Sequence, residues 1–395
     1  MVKNYWLVLC GWIFVFAVGI ADVRANDRLP DPLLPEDSEN RALTPEEQEQ
    51  LGGDLDDLDR RAREQLRAGN RLEAFALWQR ELMLQQALGN IAEVRALARV
   101  GDIAWSEGEL AMVRQVTARL DEIQTTAEPE DIELWRELAG AYGSIRSPQG
   151  AIAVYQRLLE HAIAQSDGKI QAEMLNQIAR THLNWFDCKS AIPAWQNVLQ
   201  FARAREEIAM QHNAYQQLAY CYDEIGDLEA TIESRLARVD LAYQLGELAA
   251  VPSEQITIGD RYQTLGKLQT AAQLYEKAYF TAFELQHLGQ ASTALQRLSQ
   301  LYRDQEKWSE TLAVYRSLLA VQAQGYDAYG MMNTYGQMAD IYVIVEQPDR
   351  ARVVLERGLK LARQLRLNPD RFLKAIEQLS DRSVRPLILN SMPFC

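Results

Sequence analysis

The stretch "YCYDEIGDLEATIESRL" occupies residues 220–236, and "DRYQTLGKLQTAAQLYEKA" occupies residues 260–278. Tyr222 of the first stretch corresponds to Tyr262 of the second, and each tyrosine is followed four residues later by a glycine. Both stretches then continue into a helix-favouring run that is rich in alanine, leucine and glutamate. Because equivalent residues at a fixed interval are the sequence signature of a repeat array, this 40-residue interval predicts one.

The interval extends along most of the chain. A small residue lies three positions before each tyrosine position, and successive small positions are separated by 39, 38 and then five times by 40 residues. The small positions are Ala62, Gly101, Ala139, Ala179, Ala219, Gly259, Ser299 and Ala339. A second column, twelve residues further on, contains Ala74, Val113, Ala151, Ala191, Thr231, Ala271, Thr311 and Ala351. A third column, sixteen residues further on, is mostly large and contains Trp78, Thr117, Tyr155, Trp195, Arg235, Tyr275, Tyr315 and Leu355.

These columns predict pairs of packed helices. Small side chains let two helices approach closely, and an aromatic residue three positions further on lies one turn along the same helix and fills the adjacent space. The glycine suits the turn between the helices, where the backbone leaves helical geometry. One pair cannot bury its apolar face alone, so the pairs are expected to stack.

The columns resemble the tetratricopeptide repeat (TPR) family. The clearest matches are residues 135–158, with Trp135, Ala139, Tyr142, Ala151 and Tyr155, and residues 258–278. The resemblance covers residues 55–365 and implies an all-α, right-handed superhelical solenoid of about eight helix-turn-helix repeats. The segment "NPDRFLKAIEQLS" (368–380) is interpreted as a capping helix, because Pro369 and Asp370 suit a helix start.

The repeat is longer than the usual TPR unit of 34 residues and lacks its final proline. The second helix of each pair is therefore expected to extend by about six residues, or about 9 Å. Glycines in "QALGN" (86–90), "YQLGE" (243–247) and "QHLGQ" (286–290) are interpreted as the ends of such helices. This pattern resembles the extended-helix form of the family, whose members bind peptide segments in a concave groove.

The family resemblance also implies which residues line the groove. They lie six and three positions before the small residue and one position after it. The lining is amide-rich, and amides can bond a peptide backbone as donor and as acceptor. The implied partner-binding residues are Arg136, Asn176, Arg180, Asn213, Gln216, Tyr220, Asp260, Gln296, Gln300, Asn333 and Asp340.

We find no catalytic or metal-binding pattern in the sequence. No two of the four histidines lie within a helical turn of each other, and the two Gly-Lys pairs, Gly168-Lys169 and Gly266-Lys267, lack the glycine spacing of a P-loop. We expect no enzyme activity, no metal and no cofactor. The body of the chain also lacks a basic stripe, so no nucleic-acid partner is expected.

Two cysteines stand in neighbouring helices of the predicted array. Cys188 begins a second helix, and Cys221 lies in the first helix of the next repeat. In an exported chain they could form a disulfide, which requires Cα atoms within about 7 Å. The alternative is two separate buried thiols.

The first twenty-five residues differ from the rest. Lys3 is followed by an uncharged apolar run at residues 4–21 and then by the sequence Val23-Arg24-Ala25. This order is typical of a secretory signal peptide, with cleavage after Ala25. The alternative is an uncleaved membrane anchor, because the run lies within the length tolerated for a spanning helix.

The acidity of the chain is concentrated in one segment. The formal net charge is −14, and residues 27–59 alone carry twelve acids against two arginines. Residues 26–54, with their prolines, are interpreted as a solvated linker that buries no core of its own. The predicted domains are therefore a leader (1–25), this linker, a solenoid (55–367), and a capping helix with an apolar tail (368–395).

Together these features predict a non-catalytic scaffold or assembly factor of the bacterial cell envelope that binds a segment of a partner protein. Two alternatives stay open. The first is a membrane-anchored TPR factor that assembles a membrane complex, photosynthetic or secretory, and contacts the membrane only through an uncleaved leader. The second is a regulatory subunit of an enzyme complex. The fold alone does not identify the partner.

Overall fold

The computed structural model describes residues 31–35 and 41–380, and this part of the chain contains seventeen α-helices and no β-strand. The described residues divide into two compact units, one that ends at Ala127 and one that begins at Glu128. The first unit contains two helical pairs and a short 3₁₀ segment, Gln86–Leu88. Its helices are α1 Pro45–Arg67, α2 Arg71–Gln85, α3 Asn90–Ser106 and α4 Leu110–Thr126.

The second unit contains six further pairs, a 3₁₀ segment at Leu248–Ala250 and a final helix. The pairs are α5 Ile132–Ser144 and α6 Pro148–Ala164, α7 Gly168–Asn184 and α8 Cys188–Ala204, α9 Ile208–Glu224 and α10 Leu228–Leu245, α11 Val251–Thr264 and α12 Leu268–Glu284, α13 Leu288–Asp304 and α14 Trp308–Gln324, and α15 Ala328–Ile344 and α16 Pro348–Gln364. The final helix is α17, Asp370–Ser380.

The repeat columns explain why these helices pair. Every member of the small column lies in an odd-numbered helix and is buried, and every member of the second column lies in an even-numbered helix and is buried. Thr231 and Thr311 are fully buried, and each hydroxyl donates to the backbone carbonyl four residues earlier at 2.8 Å. The predicted all-α array of paired helices is confirmed. We call odd-numbered helices first helices and even-numbered ones second helices.

The turns of the second unit follow a strict interval of their own. A residue with φ between +54° and +78° recurs every 20 residues from Arg146 to Arg366, and only three of these twelve positions are glycine. The turns share one hydrogen-bond pattern, as where the Asp187 amide donates to the His182 carbonyl at 3.0 Å. This pattern closes the last turn of a helix around a left-handed residue. Nine of the twelve turns therefore place a non-glycine residue in the left-handed conformation.

One predicted helix end is wrong because of this interval. Gly89 and Gly246 have positive φ and end helices as predicted. In "QHLGQ", by contrast, the left-handed residue is Gln286, and Gly289 lies inside the first turn of α13. The 20-residue spacing places the turn three residues before the glycine.

The first unit begins earlier than the predicted boundary at residue 55. Helix α1 starts at Pro45, where Thr44 and Glu47 form a capping box: the Thr44 hydroxyl accepts from the Glu47 amide, and the Glu47 carboxylate accepts from the Thr44 amide at 2.8 Å. This reciprocal pair satisfies two amides that a helix start leaves open. Ten residues assigned to the linker are therefore helical.

Part of the acidic segment also packs on this unit. Leu51 and Leu55 are buried in a leucine cluster, and Leu33 and Leu34 pack against it. Asp31 fixes the same segment, because its carboxylate accepts two hydrogen bonds from Arg80 at 2.7 and 2.8 Å. Residues 31–35 thus contribute to a core, unlike the solvated linker that their composition suggests.

Helix α17 covers the last pair. The Phe372 ring lies against Gly358 of α16, where an added Cβ would meet the ring at 2.3 Å, and Arg371 approaches Gly336 of α15. Phe372 and Ala375 are buried in the large apolar core of the second unit. This is the arrangement expected of the capping helix, which buries an apolar face that would otherwise be left open.

Candidate functional site

The eleven groove residues predicted from the sequence lie on first helices of the second unit: α5, α7, α9, α11, α13 and α15. Their positions are spaced by three and four residues along each helix, so they share one helical face. We call this surface the first-helix face. Gly259 of the small column lies against Tyr275 of the partner helix, and the predicted groove positions lie to one side of this column.

Neighbouring first helices are joined by charged pairs. An Arg261 nitrogen of α11 lies 2.6 Å from the Asp223 carboxylate of α9, and Arg297 of α13 lies 3.5 Å from Asp260 of α11. These pairs show that α9, α11 and α13 lie side by side. The first-helix face is therefore continuous across at least these three helices.

The structure divides the eleven residues into three groups. Three are half-buried, namely Asn176, Asp260 and Asn333, and Asp340 is buried. The other seven are exposed, as a partner-binding surface requires: Arg136, Arg180, Asn213, Gln216, Tyr220, Gln296 and Gln300.

Three of the seven exposed residues lie on α9, and Arg180 lies on the preceding first helix, α7. Within the described residues, the side chains of Arg180, Asn213 and Gln216 make no hydrogen bond and no ion pair, so their donors and acceptors are available to a ligand. Tyr220 extends the same surface, because 43% of its area is exposed although the residue is large and partly apolar. This cluster combines amides, a guanidinium and an aromatic ring.

The polar groups of Asn176 and Asp260 already form hydrogen bonds within the fold. The Asn176 amide donates to the Ala172 carbonyl of its own helix at 2.8 Å. Asp260 accepts a 2.7 Å hydrogen bond from the hydroxyl of buried Tyr275, whose ring also lies against Gly259. Desolvation, followed by the hydrogen bond to Asp260, raises the pKa of Tyr275, so its hydroxyl remains a donor.

Asp340 does not line an open groove, which corrects the expectation that it is exposed. Only 8% of the residue is accessible, and one carboxylate oxygen is buried with no hydrogen-bond partner in the described part of the chain. Desolvation raises its pKa to about 6, against the opposing attraction of Arg371 and Arg303. Since Arg371 belongs to α17, the covering helix contributes to this environment.

A second polar cluster was not predicted from the sequence. Glu254 of α11 accepts from Arg235 and from Arg238 of α10, both at 2.8 Å, and the three side chains are only 15–18% exposed. The Arg238 Nε also donates to the His212 ring at 3.2 Å. Desolvation and then the positive charge of Arg238 lower the pKa of His212, which favours the neutral ring that accepts this bond. The signal was Arg235, the one charged residue in the large column.

Cys188 and Cys221 lie together as free, buried thiols. Desolvation and then a hydrogen bond to Cys188 raise the pKa of Cys221 to about 12. A thiol that stays protonated is a poor nucleophile, so neither cysteine is expected to react readily in this state. A disulfide between them stays a prediction. It would appear as a loss of two hydrogens in the mass of the unreduced protein, and an unchanged mass would exclude it.

The described residues contain no group of three or more histidines, cysteines or acids placed to hold a metal ion. His182 lies 3.7 Å from the Asp187 carboxylate, and His287 contacts Gln290 at 3.2 Å. Both histidines stand at helix ends and have local partners. None of the helices described by the structure has the length and apolar character needed to span a membrane.

Known proteins resemble this chain only weakly. No family model matches the chain, and no curated protein matches it. Among solved structures, the C-terminal part of a TPR repeat-containing protein from Cytophaga hutchinsonii is 12% identical with a TM-score of 0.40, covering 71% of this chain and 99% of that one. A STAND ATPase with a tetratricopeptide repeat sensor from Pyrococcus horikoshii is 14% identical with a TM-score of 0.39, covering 89% and 56%. BtubC from P. vanneervenii is 16% identical with a TM-score of 0.36, covering 63% and 98%.

Proposed function

We propose that this protein is a non-catalytic scaffold that binds a segment of a partner protein on its first-helix face. The observation that carries the proposal is the exposed cluster of Arg180, Asn213, Gln216 and Tyr220 on α7 and α9. Its amides can donate to and accept from a peptide backbone, the guanidinium can pair with a carboxylate, and the tyrosine ring offers an apolar contact.

The support beneath this cluster suits binding. Helices α7, α8 and α9 share a packed core in which Trp195 is 1% exposed and Ala179 is fully buried. A rigid base lowers the entropy lost when a ligand orders the surface. The polar side chains on this base contribute little to folding, so they are available for recognition.

The proposal is tested with variants of three residues: Arg180→Ala, Asn213→Ala and Gln216→Ala. The partner is first recovered from the native host and identified by mass spectrometry, and its affinity is then measured by calorimetry. Each hydrogen bond lost is expected to cost about 0.5–1.5 kcal/mol of binding, while helicity and melting temperature stay unchanged. Asn176 is left out because its amide serves its own helix.

The matched control is Gln296→Ala, since Gln296 stands two repeats after Gln216 at the same position of its first helix. It is expected to leave affinity within about twofold of the parent protein. Equal losses of affinity at Gln216 and Gln296 would show that the binding site extends along the whole face. If the variant that combines all three substitutions kept the affinity of the parent protein, the partner would not bind on this face.

We further propose that the protein acts in the cell envelope of a bacterium. The support is the leader pattern of residues 1–25, which lies outside the described residues. Mass analysis of the protein from its host is expected to find an N-terminus at Asn26. An intact Met1 in the membrane fraction would instead favour the anchored alternative.

A further inference from the structure

Two open grooves occupy equivalent places on the second unit. One lies between α8 and α10 over α9, and the other lies between α14 and α16 over α15. Their volumes are about 410 and 540 Å³. The floor of the first contains Tyr215, Leu218 and Tyr222, and that of the second Tyr335, Met338 and Tyr342, each 120 residues later. The repeat architecture thus builds the same groove twice.

The grooves differ in charge. Arg316, Arg350 and Arg357 line the later groove, which we call the basic groove. The equivalent positions of the earlier one are Gln196, Ala230 and Ala237, and among the described residues its charged lining residues are one arginine and one glutamate. We call the earlier one the neutral groove. The groove that lies three repeats later in the chain therefore has three cations in a lining of equivalent geometry.

Within residues 31–35 and 41–380, these arginines have no carboxylate partner. All three are exposed, and none forms an ion pair with another residue of the described segments. Arg350 donates to the Gln347 side chain at 2.9 Å, and Arg357 lies 6.0 Å from the centre of the Tyr335 ring. Asp349 is the only acid among the described residues of the lining. Helix α16 carries five basic residues against two acids, in a chain whose net charge is −14.

The groove also offers apolar surface. Val353 stands where the neutral groove has Glu233, and half of its area is exposed. Below it Met338 and Tyr342 are recessed, at 4% and 6% exposure. A pocket of this volume accepts one or two large side chains. A flat membrane surface would not reach these recessed residues, whereas a side chain of a peptide can.

From this complementarity we propose that the basic groove is a second docking site, which takes an acidic peptide segment of a partner protein. A phenylalanine or leucine of the segment enters the pocket, and its flanking carboxylates pair with Arg316, Arg350 and Arg357. Guanidinium groups form bidentate pairs with carboxylates, and this geometry fixes the direction in which the peptide segment binds. The site is separate from the first-helix face, so either proposal can fail without the other.

The test uses the full chain and a fluorescein-labelled peptide, acetyl-Glu-Asp-Phe-Leu-Asp-Glu, measured by fluorescence polarisation. Saturable binding is expected, with loss of affinity as salt rises from about 50 to about 500 mM, because screening weakens exposed charge pairs. A peptide with lysine in place of each acid is expected not to bind. A peptide with serine in place of Phe-Leu is expected to bind more weakly, because it cannot fill the pocket.

The variant Arg350→Ala/Arg357→Ala is expected to lower affinity about tenfold, or about 1.4 kcal/mol. Its matched control is Arg352→Ala/Arg363→Ala, which removes the same charge from the same helix outside the groove. Equal losses in both variants would reduce the effect to net charge and overturn the proposal. No saturable peptide binding, or binding only to phosphatidylserine vesicles, would overturn it as well.

Discussion

Replacing Glu254 with alanine is expected to lower the free energy of unfolding by about 3–5 kcal/mol. The Glu254 carboxylate neutralises Arg235 and Arg238, and all three side chains lie at 18% exposure or less. Without the carboxylate, two guanidinium groups remain in a largely desolvated site and lose the acid with which both of them pair. An uncompensated buried charge costs much more than the pair contributes, so this is a large effect for a single substitution.

The measurement is denaturant unfolding followed by circular dichroism, with hydrogen exchange to locate the change. Because repeat arrays depend on neighbour interfaces, the loss of protection is expected first in α10 and α11. The control is Glu356→Ala, which breaks the exposed pair between Arg352 and Glu356. This variant is expected to change stability by less than about 0.5 kcal/mol.

A second variant examines the cause of the loss. Arg235 stands in the large column, where the next two repeats have Tyr275 and Tyr315, and Glu254 stands where the adjacent repeats have Ala214 and Ala294. The double variant Arg235→Tyr/Glu254→Ala restores both residue types and is expected to recover at least half of the stability lost. A loss below about 1 kcal/mol in Glu254→Ala would show that water already solvates these arginines.

This cluster marks the boundary of what the sequence could predict. The helical pairs, their order and the buried columns followed from a 40-residue interval, because small residues at Ala191 or Ala271 are needed wherever two helices touch. The interval describes what repeats share. It cannot predict that one pair of positions has Arg235 and Glu254 where the neighbouring repeats have other residue types. This substitution occurs once and depends on contact between two neighbouring repeats.

Two other features were missed for related reasons. The acidic composition around Thr44 suggested a solvated segment, although the capping box and the leucines at Leu51 and Leu55 are helix signals at single-residue level. The basic groove was also missed, since its arginines lie 34 and 41 residues apart on α14 and α16. A surface formed by three helices becomes visible only when their packing is known.

The substitution Asp340→Asn is expected to stabilise the protein by about 3 kcal/mol at pH 8. Desolvation raises the pKa of Asp340 from an ordinary value of 3.8 to about 6. A difference of about 2 pKa units corresponds to about 3 kcal/mol. The folded chain therefore holds the proton more tightly than the unfolded chain, and the ionised carboxylate is the unfavourable form. Asparagine keeps the shape of the side chain and removes the charge.

The pH dependence follows with a definite sign. Between about pH 4 and pH 6 the folded state binds more protons than the unfolded state, so stability falls as the pH rises through this window. Above about pH 6 this contribution is constant. The difference between the unfolding free energies of parent and Asp340→Asn is therefore expected to grow from near zero at pH 4 to its full value above pH 6, whatever other groups titrate.

The exposed Asp240→Asn variant removes the same charge from α10 and is expected to change neither the stability nor its pH dependence. A pH-independent difference between parent and Asp340→Asn would mean that Arg303 and Arg371 hold the carboxylate ionised throughout. Asp340 would then form ion pairs beneath α17. The expected outcome instead shows that α17 covers an acid whose ionised form destabilises the fold.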